Sequence, residues 1–262
     1  MKRENEMKIK LGDNVTIIDD KGKKFVINIT KGAKKVKGLG IIDSEEFIGN
    51  RYGEVLEIGN KKCVILPASS KDYIDCLKRK AQIILPKDSA QIIMNCSIKP
   101  GDKVVEIGSG SGALTIALSK TVAPNGKVIS YDKRKDFIEI AQYNIEKAGL
   151  EKYVEFKLKD AKNGIDEKNI DSIIMDIPEP WELVDIAWDS LKIGGYFCSY
   201  SPLISQVEKT VKKLREHPFV EVYVLETLQR EMIVLEKGVR PSFNMLGHTG
   251  YLTFARKTLA KV

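Results

Sequence analysis

Histidine is almost missing from this chain, with two in 262 residues. A zinc centre built on imidazole, or a dehydrogenase that moves its protons through histidine, therefore has little to work with. Cysteine is scarce as well. Cys63, Cys76, Cys96 and Cys198 form no C-x-x-C pair and have no histidine close by in sequence, which argues against zinc or thioredoxin-like chemistry. They read as core thiols of a reducing compartment. The Lys-, Glu- and Ile-rich composition is of the thermophilic kind, however, so a bridge through Cys63 or Cys198 stays open. No apolar run approaches the roughly 18 residues of a membrane span. The opening Met1-Lys2-Arg3-Glu4-Asn5-Glu6 lacks the apolar core of a signal peptide. The expectation is a cytoplasmic protein, not attached to a membrane, with no residue cluster that calls for a metal.

What is plentiful is positive charge. A formal net charge of +7 and a pI near 9.0 suit a polyanionic partner, since lysine and arginine displace counterions from phosphates. A lysine-rich solvated surface gives the same numbers. The length allows one large domain and a small appendage.

The chain changes rhythm along its length. Up to residue 68 it is short and turn-punctuated: Asn14–Ile18 and Lys24–Ile29 flank Asp20-Lys21-Gly22-Lys23, and Val55–Ile58 and Cys63–Leu66 flank Gly59-Asn60-Lys61-Lys62. That pattern predicts hairpins in a small N-terminal β-barrel or curled sheet. Residues 69–98 read as linking helices, over Ser70–Lys80 and Lys87–Ser97. Residues 99–262 alternate strands (Lys103–Ile107, Lys127–Tyr131, Val154–Leu158, Asp171–Met175, Tyr196–Ser201) with helices near Gly112–Thr121, Lys135–Ala148, Pro180–Leu191 and Ser205–His217. Two late strands follow, about Val220–Thr227 and His248–Ala255, the last with no helix after it and so a candidate to run antiparallel. The expected class is α/β, a Rossmann-like, seven-stranded, mostly parallel sheet.

The apolar strand Val104-Val105-Glu106-Ile107 runs into Gly108-Ser109-Gly110-Ser111-Gly112 and then a helix. Such a loop turns sharply, approaches a ligand closely and offers free amide hydrogens. With Ala113 it also satisfies a dinucleotide fingerprint, so the loop alone admits a nicotinamide nucleotide or a methyl donor. Glu106, two residues before the first of three alternate glycines, resembles the acid of the first motif of Rossmann-like methyltransferases, which implies support of a donor's methionine end; Asp132 closes the second strand where it can accept from ribose hydroxyls, and Asp160, followed by Ala161, the third, where it can accept from the adenine amine. Any one of them alone is matched by a solvated loop carboxylate.

Strand four ends in Met175-Asp176-Ile177-Pro178-Glu179-Pro180-Trp181, which puts Asp176 at the same carboxyl edge in a proline-stiffened loop. Here the sequence resembles the tRNA (adenine-N1)-methyltransferases in their homo-oligomeric archaeal and bacterial form. The resemblance is carried by Gln82-Ile83-Ile84-Leu85-Pro86-Lys87-Asp88, by Glu106–Gly112, by Asp176–Trp181 and by Gly247-His248-Thr249-Gly250-Tyr251 with the strand that follows. It spans essentially the whole chain.

The resemblance implies an S-adenosyl-L-methionine-dependent enzyme that methylates ring nitrogen 1 of a T-loop adenine in tRNA, at position 58 and in archaeal members also 57, and works as a homotetramer. Asp176 falls at the family's catalytic aspartate. Gln82, Glu106, Gly108, Ser109, Gly110, Ser111, Gly112, Asp132, Asp160, Ala161 and Asp176 fall at the donor site. Leu85 departs from the tyrosine of many relatives. Lys34, Lys35 and Lys37, in the basic run Lys31–Gly38, are candidate phosphate contacts, and Arg240, His248 and Tyr251 candidate RNA contacts. A solvated loop and a histidine bonded to a carbonyl are the plain alternatives. A non-catalytic tRNA-binding subunit, or a methyltransferase for a small molecule or a protein carboxylate, are the competing functions.

Overall fold

A computed structural model describes residues 8–261; the charged opening stretch lies outside them. The chain divides into two compact units. The N-terminal unit ends at Lys78 and also takes in Glu146–Gly149; the second holds Arg79–Ile145 and Leu150 onward. The divide falls within the stretch read as linking helices.

In the N-terminal unit, β1 (Asn14–Asp19), β2 (Lys24–Asn28), β5 (Val55–Ile58) and β6 (Lys61–Pro67) form an antiparallel sheet in the order β2-β1-β6-β5. Alternation puts Val15 and Ile17 of β1 and Cys63 and Ile65 of β6 into one core. Asp19 shapes the first hairpin by accepting from the Lys21 and Lys23 amides at 3.1 and 2.8 Å. The basic run expected as a loop is partly strand: β3 (Ala33–Val36) pairs with β4 (Gly40–Asp43), placing Lys34 opposite Ile42 and Lys35 opposite Ile41. Gly38 and Gly40, both with positive φ, make the turn that reads in sequence only as interruption. The helix predicted over 70–80 is shorter, α1 (Ser70–Asp75). Its start is a capping box in which Ser69 and Asp72 satisfy each other's amides, while Lys24 reaches Asp72 at 2.6 Å. Burial pushes the Asp72 carboxyl up, but Lys24 and Ser69 outweigh it and hold the group down at about 2.

The second unit is a seven-stranded sheet in the order β12-β15-β11-β10-β7-β8-β9. Its strands are β7 (Lys103–Ile107), β8 (Lys127–Asp132), β9 (Val154–Leu158), β10 (Ile170–Met175), β11 (Leu191–Ser201), β12 (Phe219–Glu226) and β15 (Tyr251–Lys257). The first five are parallel, and β15 runs antiparallel to both β11 and β12. Helices α2 (Pro86–Asn95), α3 (Ala113–Val122), α4 (Lys135–Lys147), α5 (Val184–Ser190) and α6 (Ile204–Leu214) accompany it. Two apolar clusters, one centred on Val105, Ile173 and Phe197 and one on Val104, Ile174 and Phe254, fill opposite faces, as strand alternation requires.

Differences from the predicted elements have local causes. The helix expected from Pro180 opens as a 3-10 turn, Pro180–Leu183, and Leu191 already belongs to β11. Gly194 and Gly195 accommodate the irregular start of that strand: a β-carbon on Gly195 would lie 3.0 Å from the Asp171 carbonyl oxygen. A further hairpin, β13 (Met232–Leu235) with β14 (Gly238–Pro241), has no counterpart among the predicted strands.

Two small perturbations test the N-terminal unit. Ser69→Ala removes the cap and should cost about 1 kcal/mol of unfolding free energy in urea titration. Because Asp72 is held down to about 2, its contribution is present above its ordinary value of 3.8 and is lost as pH falls through about 2. Asp72→Asn should therefore flatten that acid limb.

Candidate active site

The chain runs from β7 out to β8 and β9 on one side and returns to β10 on the other, so the β7/β10 boundary is a topological switch point, where such sheets bind ligands. The strand ends there are locked by backbone bonds. The Asp176 amide donates to the Ile107 carbonyl and the Gly108 amide to the Tyr131 carbonyl, both at 2.8 Å. Gly108 has φ +97°, and a β-carbon there would collide with the Asp176 carbonyl oxygen. Only glycine fits both demands. Gly112, at φ +83°, packs α3 close to α4, where a β-carbon would stand 3.3 Å from the Ala141 Cα.

Glu106 is 1% exposed. Its Oε2 accepts from Thr115 Oγ1 at 2.6 Å and from Ser130 Oγ at 2.5 Å, and Ser109 Oγ lies 2.7 Å from Ser130 Oγ. Burial raises the Glu106 carboxyl to about 7; the two hydroxyls oppose this, and the negative charges of Asp176 and Asp132 add to it. Asp176, partly buried, is raised to about 6 by desolvation and by Asp132, against the pull of the Arg134 guanidinium. Asp132 is buried and accepts from the Gly110 amide at 3.4 Å and from Arg134, through its amide at 3.0 Å and Nε at 3.2 Å. Ser111 is fixed from two sides, its carbonyl accepting from Asn144 at 2.9 Å and its hydroxyl from the Lys80 amide at 3.3 Å.

Two cavities meet at Gly108 and Asp176. One, of about 190 Å³, is lined by Gly108, Asp132, Asp160, Ala161 and Asp176, with Ile177 and Leu183 as apolar wall. The other, of about 20 Å³, is lined by Gln82, Glu106, Ser109, Gly110, Ser111 and Asp176. Every donor-site candidate except Gly112 thus borders one of the two, and Gly112 supports the loop behind it.

None of the RNA candidates is among the residues lining these two cavities. Lys34, Lys35 and Lys37 are exposed on and beside β3 of the N-terminal unit. Arg240 is exposed on β14, its guanidinium over the Phe243 ring at 4.5 Å. The His248 and Tyr251 rings meet in a tilted arrangement with centroids 4.8 Å apart, but both ring nitrogens of His248 are engaged, by Glu226 at 2.7 Å and the Pro202 carbonyl at 2.8 Å. Both partners are acceptors, so the ring donates twice, and its pKa is raised accordingly, chiefly by Glu226. Trp181 is half-buried with the Lys209 ammonium over its ring at 4.6 Å.

Lys133, Arg134, Lys159 and Lys162 also line the larger cavity, and no sequence motif marks them out. Each sits within two residues of a strand-end acid, Asp132 or Asp160, and that spacing is the signal the sequence offers.

A switch-point crevice beside a glycine loop, in a parallel sheet closed by an antiparallel strand, defines a class I methyltransferase fold. Residues 64–238 match the family model described as tRNA methyltransferase complex GCD14 subunit, and the chain belongs to that family. A Methanocaldococcus jannaschii protein described as tRNA (adenine(57)-N(1)/adenine(58)-N(1))-methyltransferase TrmI is 36% identical, over 92% of this chain and 93% of its own. The Thermus thermophilus tRNA (adenine(58)-N(1))-methyltransferase TrmI is 30% identical, over 91% and 94%. Among solved structures, a Thermotoga maritima protein described as a SAM-dependent O-methyltransferase superposes with a TM-score of 0.87 at 36% identity, over 98% of this chain and 97% of its own. The Aquifex aeolicus tRNA (m1A58) methyltransferase TrmI gives 0.78 at 29%, over 97% and 100%.

The raised carboxyls set a sign for stability. Glu106 keeps its proton in the folded state up to about 7 and in the unfolded state only to its ordinary 4.5, so its contribution is full below that value and is lost as pH rises through about 7. Asp176 behaves alike between its ordinary 3.8 and about 6. The ligand-free protein should thus lose stability between about pH 4 and 7, and Glu106→Gln should flatten that loss in thermal melts.

Proposed function

We propose that this protein transfers the methyl group of S-adenosyl-L-methionine to ring nitrogen 1 of an adenine in the T-loop of tRNA, at position 58 and, like its archaeal relative, at 57. The observation that carries this reading is the position of Asp176, in backbone contact with the glycine loop and shared by both cavities.

The residues fit the donor. Gly108 lets the loop close against the Asp176 backbone, and burial, with smaller contributions from the neighbouring acids, raises the Glu106 and Asp176 carboxyls. A cationic ligand beside them favours their ionised forms. When bound, S-adenosylmethionine supplies an electrophilic methyl group on a positively charged sulfur. Glu106, Gln82 and Gly108–Gly112 would hold its methionine end, Asp132 its ribose hydroxyls, and Asp160 with Ala161 its adenine.

Adenine N1 carries a free lone pair at neutral pH, so no proton has to leave before attack. The protein's task is alignment, which is worth up to about 7–11 kcal/mol. Asp176, largely ionised at neutral pH, accepts from the exocyclic amine, sends electron density into the ring and offsets the charge that builds there. The same contact selects adenine. Guanine and cytosine cannot offer that amine beside a free ring nitrogen in the same pose. Drawing the base out of the tRNA elbow costs a few kcal/mol, which phosphate contacts by Lys34, Lys35, Lys37 and Arg240 help to meet.

The reading includes a cytoplasmic homotetramer with a small N-terminal domain over 1–68, linking helices over 69–98 and a catalytic domain over 99–262. The β13–β14 hairpin supports self-association: Met232, Val234, Leu235 and Val239 are all more than half exposed, which a monomer seldom tolerates in one element. Among the described residues no helix is long and apolar enough to cross a membrane.

The Thermotoga relative favours a second reading, methylation of an oxygen. Nucleoside analysis of tRNA after reaction separates the two. Wild type should yield 1-methyladenosine, and Asp176→Asn should lose at least about 100-fold in turnover. A 2′-O-methylated nucleoside, or full activity in Asp176→Asn, would overturn the proposal. For the phosphate role, replacing Lys34, Lys35 and Lys37 by alanine should lower the slope of log affinity against log salt by about one for each phosphate left without its lysine.

A further inference from the structure

Lys87 and Asp88 open α2 and form a buried ion pair that the donor site does not use. The Lys87 side chain is 9% exposed and that of Asp88 0%. The ammonium reaches both Asp88 oxygens at 2.8 and 3.0 Å, and it also donates to the Thr227 carbonyl and to Thr249 Oγ1, each at 2.7 Å. Thr249 Oγ1 in turn donates to Asp88 Oδ2 at 3.0 Å. One hydroxyl therefore accepts from the cation and donates to the anion, which among small side chains only serine and threonine can do.

The next residues are held just as closely. Tyr200 OH donates to the Thr249 carbonyl at 2.6 Å, and a β-carbon on Gly250 would stand 2.5 Å from the Tyr200 ring. Burial pushes the Tyr200 hydroxyl up to about 12, so it keeps the proton it donates.

These contacts have a topological meaning. Thr227 follows β12 and Thr249 precedes β15, so they are the two feet of the arm that carries β13 and β14. Lys87 binds both feet at once. Its own chain segment leads back through Leu85 and Ile84 to Gln82, where Ile84 and Gln82 line the cavity at the glycine loop and Asp176. Between that segment and the arm lies a separate cavity of about 220 Å³, walled by Leu85 and Lys87 on one side and Gln229, Glu231, Asn244 and Leu246 on the other.

We propose that Lys87, Asp88 and Thr249 form a positioning clamp: they hold the arm at the distance that keeps this cavity open for a nucleotide of the RNA substrate, and so govern acceptor binding without touching the donor. The inference rests on the methyl-transfer reading above. A buried cation between an anion, a carbonyl and a hydroxyl has one low-energy arrangement, because each unmet polar group inside the protein is costly. Taking away one member loosens the arm's feet while leaving the glycine loop, Glu106 and Asp176 intact.

Replacing Lys87 or Asp88 risks unfolding by stranding the other charge. Thr249→Val keeps the shape and the ion pair and removes only the hydroxyl. It should raise KM for tRNA, and the dissociation constant for tRNA measured directly, by about tenfold, the equivalent of one buried hydrogen-bond network member. Affinity for S-adenosylhomocysteine should stay within about twofold, and Thr249→Ser should restore tRNA binding. A Thr249→Val protein with wild-type tRNA binding overturns the clamp, as does one that loses tRNA and S-adenosylhomocysteine affinity equally, which would mark Thr249 as merely structural. The wild-type control is separate: if it forms no 1-methyladenosine, the reaction assigned above fails and the clamp's acceptor role falls with it.

Discussion

Gly108 and Asp176 meet through their backbones. The ladder between β7 and β10 continues one step past the strands, with the Asp176 amide on the Ile107 carbonyl, and this presses the Asp176 carbonyl against the glycine, leaving no room for a side chain. Because these strands are parallel and the chain reverses its winding at this boundary, the glycine loop and Asp176 emerge side by side. The small cavity, the large cavity and the charge of the site all depend on this contact.

That charge is arranged without a neutralising cation close at hand for every acid. Glu106 is compensated by hydroxyls alone, Asp132 by amides and by Arg134, and Asp176, which shares a cavity with Asp132, feels the pull of Arg134 against the repulsion of Asp132. Burial, with the neighbouring acids, raises Glu106 to about 7 and Asp176 to about 6. A positively charged ligand beside these buried carboxyls would draw both toward their ionised forms. The clamp at Lys87 works on different terms. Its charges are fully satisfied, so it fixes geometry and does not wait for a ligand.

Much of this is legible in sequence because the physics involved is local. The central parallel strands are readable since doubly covered strands are largely apolar, the edge strand β9 since it alternates Val154, Phe156 and Leu158 with Glu155 and Lys157, and Glu106, Asp132, Asp160 and Asp176 stand out at or beside the ends of those runs. Boundaries shift where distant groups intervene. Residues 76–80 leave the predicted helix, and the Lys80 amide there is drawn to Ser111. The last strand begins at Tyr251 and not at His248, because His248 and Thr249 are bonded to Glu226, Pro202, Lys87 and Asp88. Hairpins β3–β4 and β13–β14 are hidden in sequence because their residues are mostly exposed and carry no apolar alternation.

The sequence by itself determined the class of sheet, the glycine loop and the acid that follows each strand, since periodicity, glycine placement and strand ends are written in neighbouring residues. Tertiary structure alone decided which of those acids share a cavity, how far burial and mutual repulsion raise their pKa values, and that Lys87 and Asp88 clasp Thr249 from 162 and 161 positions away. Such facts depend on distances between segments remote in the chain, and no local pattern encodes them.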